Sequence, residues 1–83
     1  MLTKCIFDPC YRQAIAELRA ARVRCNMTQA AVAKQLGRQR TWVGKVESCE
    51  VRLDIVQFVE LCRAYGISAS RFILRLEKME PPV

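Results

Sequence analysis

The sequence predicts an all-α fold, a compact bundle of five short helices in a single domain. Three observations predict it. Apolar residues recur at spacings of three and four through most of the chain, and strand-like alternation persists nowhere. Gly and Pro number only three each, too few for the turns of an all-β scaffold. Of the 83 residues 52% are hydrophobic but only 7% aromatic, so Leu, Ile, Val and Ala must fill one modest core. The expected boundaries are an extension over 1–8, the helical domain over 9–78 and a tail over 79–83.

Asp8-Pro9 predicts the entry of the first helix, because an Asp side chain accepts from free N–H groups and Pro suits the first turn. Tyr11, Ile15 and Leu18 then form one stripe. Arg22 falls on that stripe, where a charge calls for a partner. Asn26, tolerant of left-handed backbone, ends the helix. Thr28 caps a second helix over 29–36, with Met27 just ahead of the cap and Val32, Ala33 and Leu36 inward; Gly37 stops it. A third helix runs from about Gln39 to Ser48, with Trp42, Val43 and Val46 inward, and Trp42 reads as core rather than as a base-stacking residue. Asp54 caps a fourth through Ala64, with Ile55, Phe58, Val59 and Cys62 inward, and Gly66 ends it. Ser68 opens a fifth whose apolar side is Phe72, Ile73 and Leu76, and Pro81-Pro82 stops any extension.

Several chemistries are excluded. His is absent, which removes the commonest general base and most mixed Cys/His metal sites. Paired carboxylates at catalytic spacing and a phosphate-cradling glycine loop are also missing, so neither an enzyme nor a cofactor or metal site is expected. The five cysteines, at 5, 10, 25, 49 and 62, are odd in number and form no C-x-x-C pair. They read as small reduced thiols; a redox-sensing thiol is the alternative, with Cys5 and Cys10 near the chain end as the more exposed candidates. No apolar run approaches the ~20 residues that span a bilayer. Asp8 and Pro9 interrupt any signal-peptide core, so a soluble, cytoplasmic protein is expected.

Charge placement narrows the remaining classes. Lys and Arg total 14 against 8 Asp and Glu, a net charge of +6. Between Glu17 and Glu47 there is no acid, yet that stretch holds Arg19, Arg22, Arg24, Lys34, Arg38, Arg40 and Lys45, half of the basic residues. A basic stretch inside a folded domain is the footprint of a polyanion binder. Two short helices joined through Leu36-Gly37-Arg38 meet the requirements of a helix-turn-helix, Gly allowing the sharp change of direction. The second presents Gln39, Arg40, Thr41, Gly44 and Lys45 outward or sideways. In a major groove Arg and Lys suit guanine, Gln suits adenine and Thr suits either. Arg12, Arg63, Arg71 and Arg75 lie outside this segment and read as helix-surface charges.

The run Thr28-Gln29-Ala30-Ala31-Val32-Ala33, then Leu36-Gly37, then Trp42-Val43-Gly44-Lys45-Val46-Glu47, resembles the Cro/repressor-type helix-turn-helix domain, also called the XRE family. The likeness extends through Arg52-Leu53-Asp54 and Leu61-Cys62-Arg63-Ala64-Tyr65-Gly66-Ile67, and covers about residues 11 to 76. The resemblance implies a lambda-repressor-like five-helix bundle with its recognition helix over 39–47. It implies a transcriptional regulator that binds double-stranded DNA sequence-specifically, usually as a two-fold dimer on a palindromic operator. Carried onto this chain, it implies that Gln29 braces the recognition helix and touches the DNA backbone. Gln39, Arg40 and Thr41 fall where base contacts are usual, Lys45 reaches a base or phosphate, and Arg38 and Arg52 meet phosphates. Arg22 and Glu47 match a recurrent pair tying the first helix to the end of the third, which supplies the partner that Arg22 lacked.

Three departures stand out, one being the loop from Ser48 to Leu53, which often touches phosphates in the family and here offers only Arg52 against Glu50. Gly44 occupies a recognition-helix position where the family has Ser or another polar residue, and reads as tolerated or as permitting close approach of backbone to DNA. Cys49 stands where Gly commonly ends the helix; left-handed backbone there costs about 1–2 kcal/mol. The apolar residues of the last helix, Phe72, Ile73 and Leu76, are the expected seam of a homodimer. Repression is favoured over activation, with the protein held on the nucleoid through its DNA. The alternative is an antitoxin or adaptor that binds a protein partner through its C-terminal helix.

Overall fold

The computed structural model describes residues 8–79, which form five helices: α1 (Pro9–Arg24), α2 (Gln29–Leu36), α3 (Arg40–Glu47), α4 (Ile55–Ala64) and α5 (Ala69–Lys78). The extension over 1–7, with Cys5, and the Pro81-Pro82 stop lie outside the described residues. Among the described residues, no helix is long and apolar enough to cross a membrane.

Four of the five helix starts follow from a side-chain cap. The Asp8 carboxylate accepts from the N–H groups of Cys10 and Tyr11 at 2.8 and 3.2 Å. Thr28 Oγ1 accepts from Ala31 N at 3.0 Å, and Ser68 Oγ from Arg71 N at 3.2 Å. At α4 the bonds are reciprocal: Asp54 Oδ1 accepts from Gln57 N, and Gln57 Oε1 accepts from Asp54 N. These side chains occupy N–H groups that a helix end otherwise leaves unpaired.

The helix stops repeat one device. Asn26, Gly37, Cys49 and Gly66 take φ of 59°, 67°, 62° and 70°. In each case the N–H of the following residue reaches back five residues, as from Arg38 to Ala33 O at 2.8 Å and from Glu50 to Lys45 O at 2.8 Å. That is a Schellman motif, made four times. The left-handed geometry at Cys49 therefore persists without a glycine.

The core is formed by Ile15, Leu18 and Ala21 of α1, Val32 and Ala33 of α2, Val43 and Val46 of α3, Leu61 and Cys62 of α4, Phe72 of α5, and Cys49 and Tyr65 beyond their helix ends. Phe58 meets Phe72 edge to face, with ring centroids 5.2 Å apart. The Tyr11 hydroxyl ties the α3–α4 loop to α1, accepting from Leu53 N at 3.1 Å and donating to Val51 O at 3.5 Å.

Four expectations need correction. Ile55 is 80% exposed, because the first residue of α4 overhangs the core that Phe58 and Cys62 enter. Phe72 is 1% exposed and lies in the protomer's own core, so it is unavailable to a dimer seam; Ile73 is exposed and Leu76 half-buried. Arg75 is more than a surface charge, since its Nη2 pairs with Glu17 of α1 at 3.3 Å across the α1–α5 contact. Among the described thiols, Cys25 is the exposed one, Cys10 is half-buried, and Cys49 and Cys62 are buried.

Cys49 yields a direct test of backbone strain. Glycine has no penalty at φ 62° whereas alanine does, so Cys49→Gly should be more stable than Cys49→Ala by about 1 kcal/mol. Urea denaturation of the two variants measures this, and the usual helix ranking, alanine above glycine, is the opposite outcome.

Candidate nucleic-acid interface

The pair α2–α3 is the most extensive helix contact in the molecule. Between them lies only the Gly37 stop, Arg38 and Gln39. Gln39 and Ser48 are caps rather than helical residues, so α3 is slightly shorter than the sequence suggests. The Gln39 side chain is exposed and makes no capping bond. Val43 and Val46 are buried and Trp42 is half-buried, which fixes the rotation of α3 about its axis. Gln39, Arg40, Thr41 and Lys45 are then exposed. Thr41 and Lys45, four residues apart, share one face. Arg38, Gln39, Thr41 and Lys45 line one shallow groove floored by Trp42. Among the described residues, neither Arg40 nor Lys45 makes an ion pair.

Behind that surface is a buried clamp. Arg22 Nε donates to Glu47 Oε2 at 2.6 Å and Nη2 to Oε1 at 3.0 Å. The third guanidinium nitrogen, Nη1, donates to Met27 O at 2.8 Å. Gln29 Nε2 donates to Glu47 Oε1 at 3.0 Å, and exposed Arg19 approaches the same oxygen at 3.7 Å. The Arg22 and Glu47 side chains are 10% and 8% exposed. The clamp thus joins α1, the α1–α2 turn, the start of α2 and the end of α3. The hydrogen bonds that Arg22 donates to Glu47 raise its pKa further, against the effect of burial. Tyr65 packs beside it, and burial first, then the Glu47 charge, push its phenol up to about 12.

The remaining site residues fall into different surroundings. Gln29 is turned to Glu47, as a bracing residue must be. A Cβ added at Gly44 would lie 3.6 Å from Gln29 Oε1, an ordinary contact, so packing does not demand glycine there. Arg52 is exposed on the α3–α4 loop; its neighbour Glu50 accepts from Ser48 Oγ at 2.6 Å instead of pairing with it. Arg38 stacks its guanidinium over the Trp42 ring, 4.5 Å from the centroid, and sets Nη2 3.6 Å from Glu60 Oε1. Sequence reasoning missed Glu60, since nothing in the spacing says that this face of α4 reaches the turn. Among the described residues, no group of His, Cys, Asp or Glu is placed to hold a metal ion.

A solved structure of similar fold exists. The XRE-family like protein from Pseudomonas syringae pv. tomato str. DC3000 has a TM-score of 0.85 and 35% identity, covering 96% of this chain and 98% of that one. The family model described as a helix-turn-helix domain also matches, over residues 16–72. The chain belongs to the XRE family of helix-turn-helix proteins. A comparison with curated proteins finds no match. XRE-type helix-turn-helix domains are DNA-binding regulatory domains, which gives this chain its functional class.

In this XRE-family domain the clamp should dominate stability. Arg22→Ala leaves Glu47 buried without its main partner and should cost about 3–5 kcal/mol. A thermal melt indistinguishable from that of the wild type would show the pair to be dispensable. Tyr65 adds a pH dependence. A phenol raised on folding stays protonated in the folded state while the unfolded chain ionises above pH ~10. Stability should therefore fall as pH rises from about 10 to 12, by about 2–3 kcal/mol. Urea titrations across that range should show this loss in the wild type and its removal in Tyr65→Phe.

Proposed function

We propose that this XRE-family protein is a dimeric, sequence-specific transcriptional regulator of the repressor type, acting on double-stranded DNA with α3 in the major groove. The observation that carries the reading is the contrast between the two sides of α3. One side is locked by Val43, Val46 and the Arg22–Glu47 clamp, and the other offers Gln39, Arg40, Thr41 and Lys45 to a partner. A rigid helix with free polar side chains meets the geometric demand of base reading, which fails if the side chains wander. Gln39, Arg40 and Thr41 read bases, and Lys45 a base or phosphate. Arg38 and Arg52 serve phosphates, Gln29 holds the DNA backbone from the start of α2, and Gly44 leaves room for close approach.

Dimerisation is supported by an apolar face formed by Ile73 and Leu76 of α5 with Ile55 at the start of α4, where two apolar hollows meet. A two-fold pair places the recognition helices about 34 Å apart on a palindromic operator. Occupancy of a promoter then excludes polymerase. That apolar face also favours a second reading, an antitoxin or adaptor that docks a protein there; sedimentation of the free protein as a monomer would favour it.

Selection from a random duplex library tests the function. A single palindromic site, bound two protomers at a time, is the expected result. Affinity should fall by roughly 10³-fold from 50 to 200 mM salt with about six phosphate contacts. Arg40→Ala should cost about 1–3 kcal/mol on that site and little on random DNA. Equal losses on both would remove Arg40 from base reading.

A further inference from the structure

We propose that Glu60, on α4 and outside the helix-turn-helix, is a positioning residue for DNA discrimination: it holds Arg38 against Trp42 and withholds that guanidinium from the phosphates of poorly matched duplexes. The inference rests on the reading above, in which α3 and Arg38 face DNA.

The geometry begins with the backbone. The Arg38 N–H is fixed to Ala33 O at 2.8 Å by the Schellman stop, so the root of its side chain cannot wander. The guanidinium lies 4.5 Å from the Trp42 centroid, on the groove that Gln39, Thr41 and Lys45 also line. Of the two cations in that groove, Lys45 has no acidic partner among the described residues, whereas Arg38 faces Glu60 at 3.6 Å. The Glu60 side chain is 37% exposed, but its Oε1 is buried and makes no hydrogen bond among the described residues, because 3.6 Å is beyond hydrogen-bond reach. The charge of Arg38 is its compensation.

Moving Arg38 onto a phosphate would separate that oxygen from its nearest counter-charge, which opposes the movement by the modest amount that a pair 34% and 37% exposed can supply. Sequence-independent affinity rises with each phosphate neutralised. A guanidinium held back in this way lowers affinity for random DNA. It is released where matched base contacts hold the protein in register long enough to outweigh the loss. Glu60 thus widens the gap between operator and random sequence without touching either.

The test compares wild type, Glu60→Gln, Arg38→Ala and the double variant, on the selected site and on a random duplex of equal length, across a salt series. Glu60→Gln should bind random DNA about three- to tenfold more tightly, with the slope of log affinity against log salt steeper by about 0.9 per protomer. Its gain on the selected site should be smaller, so the specificity ratio falls. In the Arg38→Ala background the same substitution should change little. Glu60→Asp, which keeps the charge, should retain a salt slope near that of the wild type. Trp42 is the single tryptophan, so its emission reports Arg38 directly. The free Glu60→Gln protein should shift toward the emission of the DNA-bound wild type. An unchanged affinity and slope on random DNA, or the same gain with and without Arg38, would overturn the role. Wild type that prefers no duplex, with Arg40→Ala neutral, would overturn the function itself, and this role with it.

Discussion

Glu47 is a carboxylate at the meeting point of three helices, and its burial is tolerable only because Arg22 arrives with two N–H groups in bidentate register. Two further N–H groups of the cluster are used as well: Arg22 Nη1 serves the Met27 carbonyl and Gln29 Nε2 serves the shared oxygen. Exposed ion pairs contribute little to stability, as at Arg75–Glu17, where a guanidinium remains 61% exposed. A desolvated, bidentate pair has a different role. It makes any arrangement that separates its members costly, and so selects one orientation of α3 against α1 and α2. The exposed edge of α3 is a surface whose geometry is dictated from behind.

That division explains why the exposed edge of α3 carries few internal contacts. Apolar packing through Val43 and Val46 sets the rotation of α3, and the clamp sets its far end. Gln39, Arg40, Thr41 and Lys45 are left with no structural duty. Gly44 fits the same picture, since the fold leaves room for a side chain there. Arg38 differs in having internal partners, Trp42 beneath and Glu60 beside it.

Much of this was legible in the residues because helix ends are written locally. Asp8, Thr28, Asp54 and Ser68 cap as side-chain chemistry requires, and Asn26, Gly37 and Gly66 stop as their backbone freedom allows. The stripe through Ile15 and Leu18 announced the inward face of α1, and the family resemblance supplied the partner of Arg22. Periodicity failed at Ile55, because a stripe extended to the first residue of a helix says nothing about whether the neighbouring layer reaches that far. It failed again at Phe72, where one apolar face had to be divided between the protomer's interior and its outside. The pairs Arg75–Glu17 and Arg38–Glu60 join helices whose adjacency is a property of the assembled bundle, and no spacing in the chain encodes them. The exposed edge of α3 was easier to read, since Gln39, Arg40, Thr41 and Lys45 break the apolar stripe that Val43 and Val46 continue.

The four left-handed stops bear on how the chain acquires its shape. Each closes within a few residues, so the helix ends are set by local bonds, and most close approaches join residues near one another in sequence. Chains of such low contact order search little and fold in microseconds to milliseconds. A nascent chain with this wiring exposes its apolar stripes only briefly, which limits the time available for aggregation.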